Sequence, residues 1–449
     1  MTLLQNIWWY LVLIGVMILV HELGHYWAAR LFDVKVETFS FGFGPRLFGF
    51  RRGETDFRFS AILFGGYVKM AGDYVNSGGE QNAEASAADP RSLYAKPRWQ
   101  RMFIAFAGPG INIILAVVLL AGLFMVHYPK MPTPANPIVG FVTPDGAAAK
   151  AGVMEGDQLI QLDGKVDPTW EDVAYKEIGS ARKPFDVWVK RKGETLHLTI
   201  TPAYDERIGA GYAGWGQETD VEVAAVVKDM DAQRIGVRPG DILVSANGQP
   251  LRSTSKLHEL IRDGNGQPLD LVYARRSKEQ KDKIEQTFHG SVTPTRRDDQ
   301  WMIGVQLQPR LDVIALPLPQ AFTEACRQNT QSAKLIFKFL EGMVERRMSP
   351  KSLEGPIRIA QFAGDAAREG PASFFGLMAA VSLNLAIFNL LPIPILDGGV
   401  MLLLLVEMLL RRDLDLRVRE AVVRVGFVFL MMVVVFVLYN DISKIMPPG

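Results

Sequence analysis

The sequence predicts a polytopic α-helical membrane protein with four transmembrane helices, a membrane-associated β-hairpin loop after the first, and two inserted small α+β domains between the second and third. Three observations carry that prediction. The apolar residues cluster in runs long enough to cross a bilayer, a 14-residue stretch recurs at an offset of 84 residues, and the first loop alternates Phe and Gly with polar residues. Whole-chain averages conceal this. Across 449 residues, 48% are apolar and 22% charged, and 49 basic residues meet 48 acidic ones. A net charge of +1 provides no global basic field, so nucleic acid is not an expected partner. The lone Cys326 forms no internal disulfide, which leaves the compartment open.

The first run, 7–29, has the length needed to cross ~30 Å of hydrocarbon at ~1.5 Å per residue. A signal peptide is the alternative, but no basic residue precedes the run and no small-residue cleavage site follows it. Residues 102–126 form a second span, and 421–440 a fourth. The third reads as one broken helix, 373–410, interrupted by LLPIPILDGG: Pro392 and Pro394 lack backbone donors, and Gly398 and Gly399 tolerate unusual dihedrals. Unwound backbone at membrane depth is tolerated only inside protein or beside a water-filled cavity, so the break hints at a site, with a simple proline kink as the alternative.

Eleven Lys and Arg lie between Arg30 and Arg101, and Arg411, Arg412, Arg417 and Arg419 precede the fourth span. The positive-inside rule therefore puts these segments in the cytoplasm, and both termini and the long stretch after the second span on the other side. Within the cytoplasmic loop, 30–100, Thr38 to Phe50 and Phe57 to Met70 alternate like hairpin strands, whereas Asp73 to Pro90 reads as a flexible linker.

In the extramembrane stretch, AGVMEGDQLIQLDG (151–164) recurs as IGVRPGDILVSANG (235–248). Each copy places Gly-Asp before a β-rich run ending in a turn dipeptide, and a helix-compatible segment follows, 168–178 or 253–262. The expected domains are 127–220 and 221–310. Residues 311–372 are expected to form an amphipathic helix, 319–347, and a loop, with Cys326 a buried or lipid-facing passenger. Both copies resemble bacterial, circularly permuted PDZ domains. That resemblance implies a groove for an extended peptide or its terminal carboxylate, with ligand-free spacers as the alternative.

His21-Glu22-Leu23-Gly24-His25 lies inside the first span. Positions four apart share a helix face, so His21 and His25 can offer two imidazoles to one metal while Glu22 stands beside a bound water as catalytic base. Polar residues are costly within a membrane helix unless they face an interior and serve a purpose. A zinc hydrolase needs a third ligand, and Asp397, at the broken point of the third span, is the outstanding candidate.

HELGH followed far downstream by Asn389-Leu-Leu-Pro-Ile-Pro-Ile-Leu-Asp397-Gly398 resembles the site-2 protease family of intramembrane zinc metalloproteases. The paired PDZ-like insertion narrows the resemblance to the sigma-E-regulating type. It implies zinc, one per chain, on His21, His25 and Asp397, with Glu22 as base and Asn389 holding the substrate chain. GPGIN (108–112) matches a small-residue motif near the family's active site, making Asn112 a second substrate-binding candidate, with close helix packing as the alternative. The implied substrate is a transmembrane protein such as an anti-sigma factor, or a remnant signal peptide, already trimmed by an upstream site-1 type protease. The implied setting is the lipid bilayer of the bacterial inner membrane, with the PDZ-like pair periplasmic and the active site toward the cytoplasm. The rivals are a membrane-anchored zincin cutting extramembrane substrates and a catalytically inactive PDZ scaffold.

Overall fold

The computed structural model describes residues 2–72, 89–126, 128–130, 135–206, 209–276, 284–297, 300–309 and 312–445. The chain divides into two compact units, one of residues 1–128, 315–336 and 353–449, the other of 129–314 and 337–352. Most of the linker expected at 73–90, residues 73–88, lies outside the described residues.

The first unit begins with α1 (Thr2–Leu31), followed by the hairpin β1 (Val36–Arg52) and β2 (Thr55–Met70), then α2 (Arg98–Met125). Phe39 pairs with Val68 and with Phe57, and bulges break the register repeatedly, so two long strands fold back on themselves as a curled ribbon. The root of this ribbon packs Val36, Phe39, Val68 and Met70 on Ala28, Ala29 and Ile104 of the helices. Its far end leaves Leu47, Phe48, Phe50 and Ile62 exposed. Such a concentration of bare apolar side chains is unfavourable in water and fits a membrane interface.

The second unit holds the two repeats. In the first, β3 (Val139–Val142), β4 (Gln158–Leu162), α3 (Trp170–Ile178), β5 (Phe185–Arg191), β6 (Glu194–Ile200) and β7 (Trp215–Gln217) follow in order. Strands β4, β5 and β6 form an antiparallel sheet, and β3 pairs with β7. In the second come β8 (Val221–Val226), β9 (Ile242–Ala246), α4 (Thr254–Asp263), β10 (Leu269–Arg276), β11 (Ile284–Val292) and β12 (Val305–Pro309), paired in the order β11-β10-β9-β8-β12.

The recurring Gly-Asp pair is explained by its partners. The buried Asp157 carboxylate accepts a two-pronged bond from Arg191 at 2.7 and 2.7 Å and a third from the Met154 amide. Asp241 repeats this with Arg275 at 2.8 and 2.8 Å and with the Arg238 amide. Each arginine also donates to a glycine carbonyl, Gly152 or Gly236. Forked charge-assisted bonds of this kind satisfy a carboxylate that burial would otherwise penalise. In the first repeat, Glu177 of α3 accepts from the Ala213 amide and from Trp215 Nε1, tying the helix to β7. Burial pushes the Glu177 carboxyl above its ordinary range, and these two donors partly offset the shift.

The chain continues through α5 (Leu318–Val344), α6 (Pro356–Glu369), α7 (Pro371–Asn389), α8 (Asp397–Leu410) and α9 (Leu416–Ile445). The expected loop after the amphipathic helix is thus corrected: it contains a second helix, α6. Pro356 occupies its first turn, and the cap comes from far away, since Asp441 of α9 accepts from the amides of Gly355 and Ile357 at 2.9 Å each. An N-terminal carboxylate worth ~1 kcal/mol to a helix is invisible locally when it lies 84 residues downstream of the Ile357 amide it caps.

Among the described residues four helices are long and apolar enough to cross a membrane: α1, α2, α7 and α9. Helix α9 packs lightly, with Val425, Met432 and Val435 bare as a lipid-facing helix would have them. Its start is held by a buried ionic cluster: Arg419 and Arg101 of α2 flank Glu407 of α8, and Arg101 also donates to Asp413 at 3.1 Å. The Tyr94 ring faces both guanidinium groups, at 5.2 and 4.8 Å.

Candidate metal centre

α1 carries His21, Glu22 and His25 because nothing in 2–31 interrupts a helix: the segment contains no proline and its two glycines are internal. The i, i+4 spacing puts both imidazoles on the face turned to α2, where both are buried. The helices touch there because the glycine positions are bare. A Cβ on Gly24 would stand 2.3 Å from the Ala107 carbonyl oxygen, and one on Gly108 would stand 2.3 Å from His25 Nε2 and 2.9 Å from His21 Cε1. Gly108 is therefore the hollow in α2 that receives the two rings.

Asp397 arrives from the other end of the chain. After α7 the backbone leaves the helix at 390–396 and restarts with Asp397 in the first turn of α8. Ile395 takes φ 85°, a costly conformation for a β-branched residue and a mark of local strain at the break. The carbonyls of the break are covered by protein, the condition under which unwound backbone is tolerated at membrane depth. A Cβ on Gly398 would stand 2.3 Å from the oxygens of Leu390 and Leu391, and one on Gly426 of α9 the same distance from that of Pro394.

Three donor atoms converge. His21 Nε2 lies 3.1 Å from Asp397 Oδ2, His25 Nε2 lies 3.4 Å from Asp397 Oδ1, and the two Nε2 atoms are 3.2 Å apart. Tetrahedral zinc with bonds of ~2.0–2.1 Å holds its ligands roughly 3.3 Å from one another, so this triangle has the edge lengths such an ion requires. His25 Nδ1 donates to the Ile104 carbonyl oxygen at 2.8 Å, which leaves the Nε2 lone pair facing the triangle. Two imidazoles and a carboxylate, one short of a tetrahedron, are the donor set of a catalytic site with an open position. Among the described residues, His21, His25 and Asp397 are the only group of three such side chains able to share a metal ion.

Glu22, next to the first ligand, faces the hairpin. A Cβ on Gly66 of β2 would stand 3.0 Å from Glu22 Cγ and 2.9 Å from the Ser40 carbonyl, so the ribbon passes directly beside this carboxylate. Of the substrate-binding candidates, Asn389 is the half-buried last residue of α7, at the lip of the break. Asn112 is fully buried and turns toward His21, its Nδ2 3.4 Å from the ring Nδ1, rather than toward an opening. Sequence reasoning placed Gly108 in a motif near the active site without giving it a role, and missed Gly66. Gly108 stands one turn before Asn112 and shares its helix face, which is how the motif serves the two rings.

The chain matches the sequence pattern of Peptidase family M50 over residues 9–433. The chain belongs to peptidase family M50. Its relatives run the same length. The "Regulator of sigma-E protease RseP" of Salmonella typhimurium is 30% identical to this M50 chain across 99% of it and 100% of the relative. The "Putative zinc metalloprotease" of Treponema pallidum is 29% identical across 96% and 97%, and the "Protease RseP" of Yersinia pestis 30% across 99% and 100%. Among solved structures, the PDZ domain of an SdrC-like protein from Listeria monocytogenes aligns with 20% of this chain and 87% of its own at 17% identity, with a TM-score of 0.17, too slight a likeness to bear on the fold.

Gly108 provides the direct test of this packing. Gly108→Ala should cut the chain's metal content at least ~10-fold, measured by elemental analysis of the purified protein, because the added methyl displaces both imidazoles. Wild-type metal content in that variant would contradict the placement of the rings.

Proposed function

We propose that this M50 peptidase is an intramembrane zinc metalloprotease that cleaves transmembrane proteins, such as a membrane-bound anti-sigma factor, within or near the bilayer. The observation that carries the proposal is the triangle of donor atoms from residues 21, 25 and 397, two of them on α1, a helix apolar enough to span the membrane, and the third at the restart of the chain after α7, another such helix, with Glu22 at its side. The names of the full-length relatives, a regulator of sigma-E protease and a zinc metalloprotease, point the same way.

His21, His25 and Asp397 would hold one zinc ion per chain. Bound there, the ion supplies Lewis acidity that polarises the scissile carbonyl and lowers the pKa of a water toward ~7. Glu22 takes the proton from the attacking water and delivers it to the nitrogen of the departing amine, so each turnover returns the carboxylate to its starting state. A substrate helix hides its carbonyls in its own hydrogen bonds and must be stretched before it can react. The ribbon edge at Gly66, beside Glu22, offers backbone groups that can hold a stretched segment by strand pairing, and Asn389 at the lip of the break can hold its continuation.

The chain sits in the inner membrane, with the basic loops in the cytoplasm, and both termini and the two repeats in the periplasm. The repeats act as PDZ-like modules that admit only substrates already shortened by an upstream protease. This role rests on their place in the chain, between the second and third spans.

Glu22→Gln should retain zinc and lose cleavage of a transmembrane substrate by ~10²–10⁴-fold, followed in reconstituted liposomes. Retained cleavage would sink the assignment of the base. Removal of residues 130–310 should make cleavage less dependent on prior trimming of the substrate, and an unchanged dependence would remove the gating role from the repeats.

A further inference from the structure

We propose that Asn112 is a positioning residue for His21: its side-chain amide oxygen accepts the ring Nδ1–H and so turns the Nε2 lone pair toward the metal. The inference rests on the zinc centre proposed for this chain and extends it to a residue outside the ligand set.

Three observations converge on it. The Asn112 side chain is fully buried, with Nδ2 3.4 Å from His21 Nδ1, while Oδ1 is buried without a hydrogen-bond partner among the described residues. With the amide nitrogen facing the ring, Nδ1 must accept, and the ring proton then sits on Nε2. That proton would point into the triangle, 3.1 Å from Asp397 Oδ2 and 3.2 Å from His25 Nε2, where the metal belongs. A half-turn of the amide about its Cβ–Cγ bond exchanges oxygen and nitrogen, which have nearly the same size, and moves nothing else. The oxygen then meets an Nδ1–H, and the NH2 group goes to the place where the oxygen finds no donor.

His25 shows the same arrangement already made, since its Nδ1 donates to the Ile104 carbonyl on the same helix. Both imidazoles would thus be held by α2 through Nδ1 and present Nε2 to the metal, one by a main-chain oxygen and one by a side-chain oxygen. The reach of Asn112 is set by Ser382 of α7. Its fully buried hydroxyl donates to the Asn112 carbonyl oxygen at 2.8 Å and pins α2 at this residue. One turn earlier, the bare Gly108 lets the rings come close enough for the bond.

The test uses the full-length chain in detergent and measures zinc affinity by chelator competition for wild type, His21→Ala, Asn112→Leu and Asn112→Asp. Asn112→Leu, which keeps the volume and loses the acceptor, should weaken zinc binding about 10–100-fold, whereas Asn112→Asp, which keeps an oxygen there, should stay within about threefold of wild type. Equal affinity in Asn112→Leu and wild type would overturn the inference. A second measurement does not depend on any variant folding. In zinc-loaded wild type labelled with 15N-histidine, His21 should be protonated at Nδ1 and bound through Nε2, and binding through Nδ1 would overturn the inference. The control separates two failures: undiminished zinc affinity in His21→Ala removes the centre and this role with it, while loss in His21→Ala but not in Asn112→Leu removes the role of Asn112 alone.

Discussion

Two imidazoles and a carboxylate held within 3.1–3.4 Å of one another, among helices apolar enough to cross a membrane, are the constraint on which the rest of the fold depends. Such groups are expensive in a low-dielectric interior unless something satisfies them, and a shared metal ion would do so while giving the site its chemistry. Much of the surrounding architecture reads as what brings three donors from residues 21, 25 and 397 to one point. Helix α2 is thinned at Gly108 to seat the rings, the third span is broken so that Asp397 can open a new helix, and the ribbon crosses Glu22 at a glycine.

A broken helix next to lipid needs support, and two polar fasteners supply it. Glu407, between Arg101 and Arg419, ties α8 to α2 and to the start of α9. At the other end of α9, Asp441 caps α6, and Asn440 donates to the Leu353 carbonyl. Truncating one partner of such a buried pair leaves an uncompensated charge and costs ~3–5 kcal/mol, so these contacts specify where α9 lies even though its apolar surface binds little protein. Between the two fasteners, Gly426 lets α9 approach the break at Pro394.

Much of this was legible in the sequence because the informative patterns are local. HELGH reads as a metal motif from helix periodicity alone, the alternation in 38–70 reads as strands, and the 84-residue repeat announces a duplicated domain. Asp397 could be singled out because ionisable residues are scarce near the apolar runs. What escaped is what only tertiary structure decides. Helix α6 has no cap of its own, so a sequence reading leaves it as loop. Arg191 and Arg275, which anchor the two repeats, stand 34 residues after the aspartates they grip. Asn112 carries a motif, but which side chain it faces depends on how α2 rotates against α1. The near-zero net charge likewise hides the clustering of basic residues in 30–101 and 411–419.

One zinc ion would join the first helix to the broken third span. X-ray absorption at the zinc edge of the purified full-length chain would show whether it does. The ion should have two imidazole nitrogens with carboxylate and water oxygens at ~2.0–2.1 Å, and Asp397→Ala should lose one oxygen ligand or the metal altogether. A sulfur ligand from Cys326, or a shell unchanged in that variant, would contradict it.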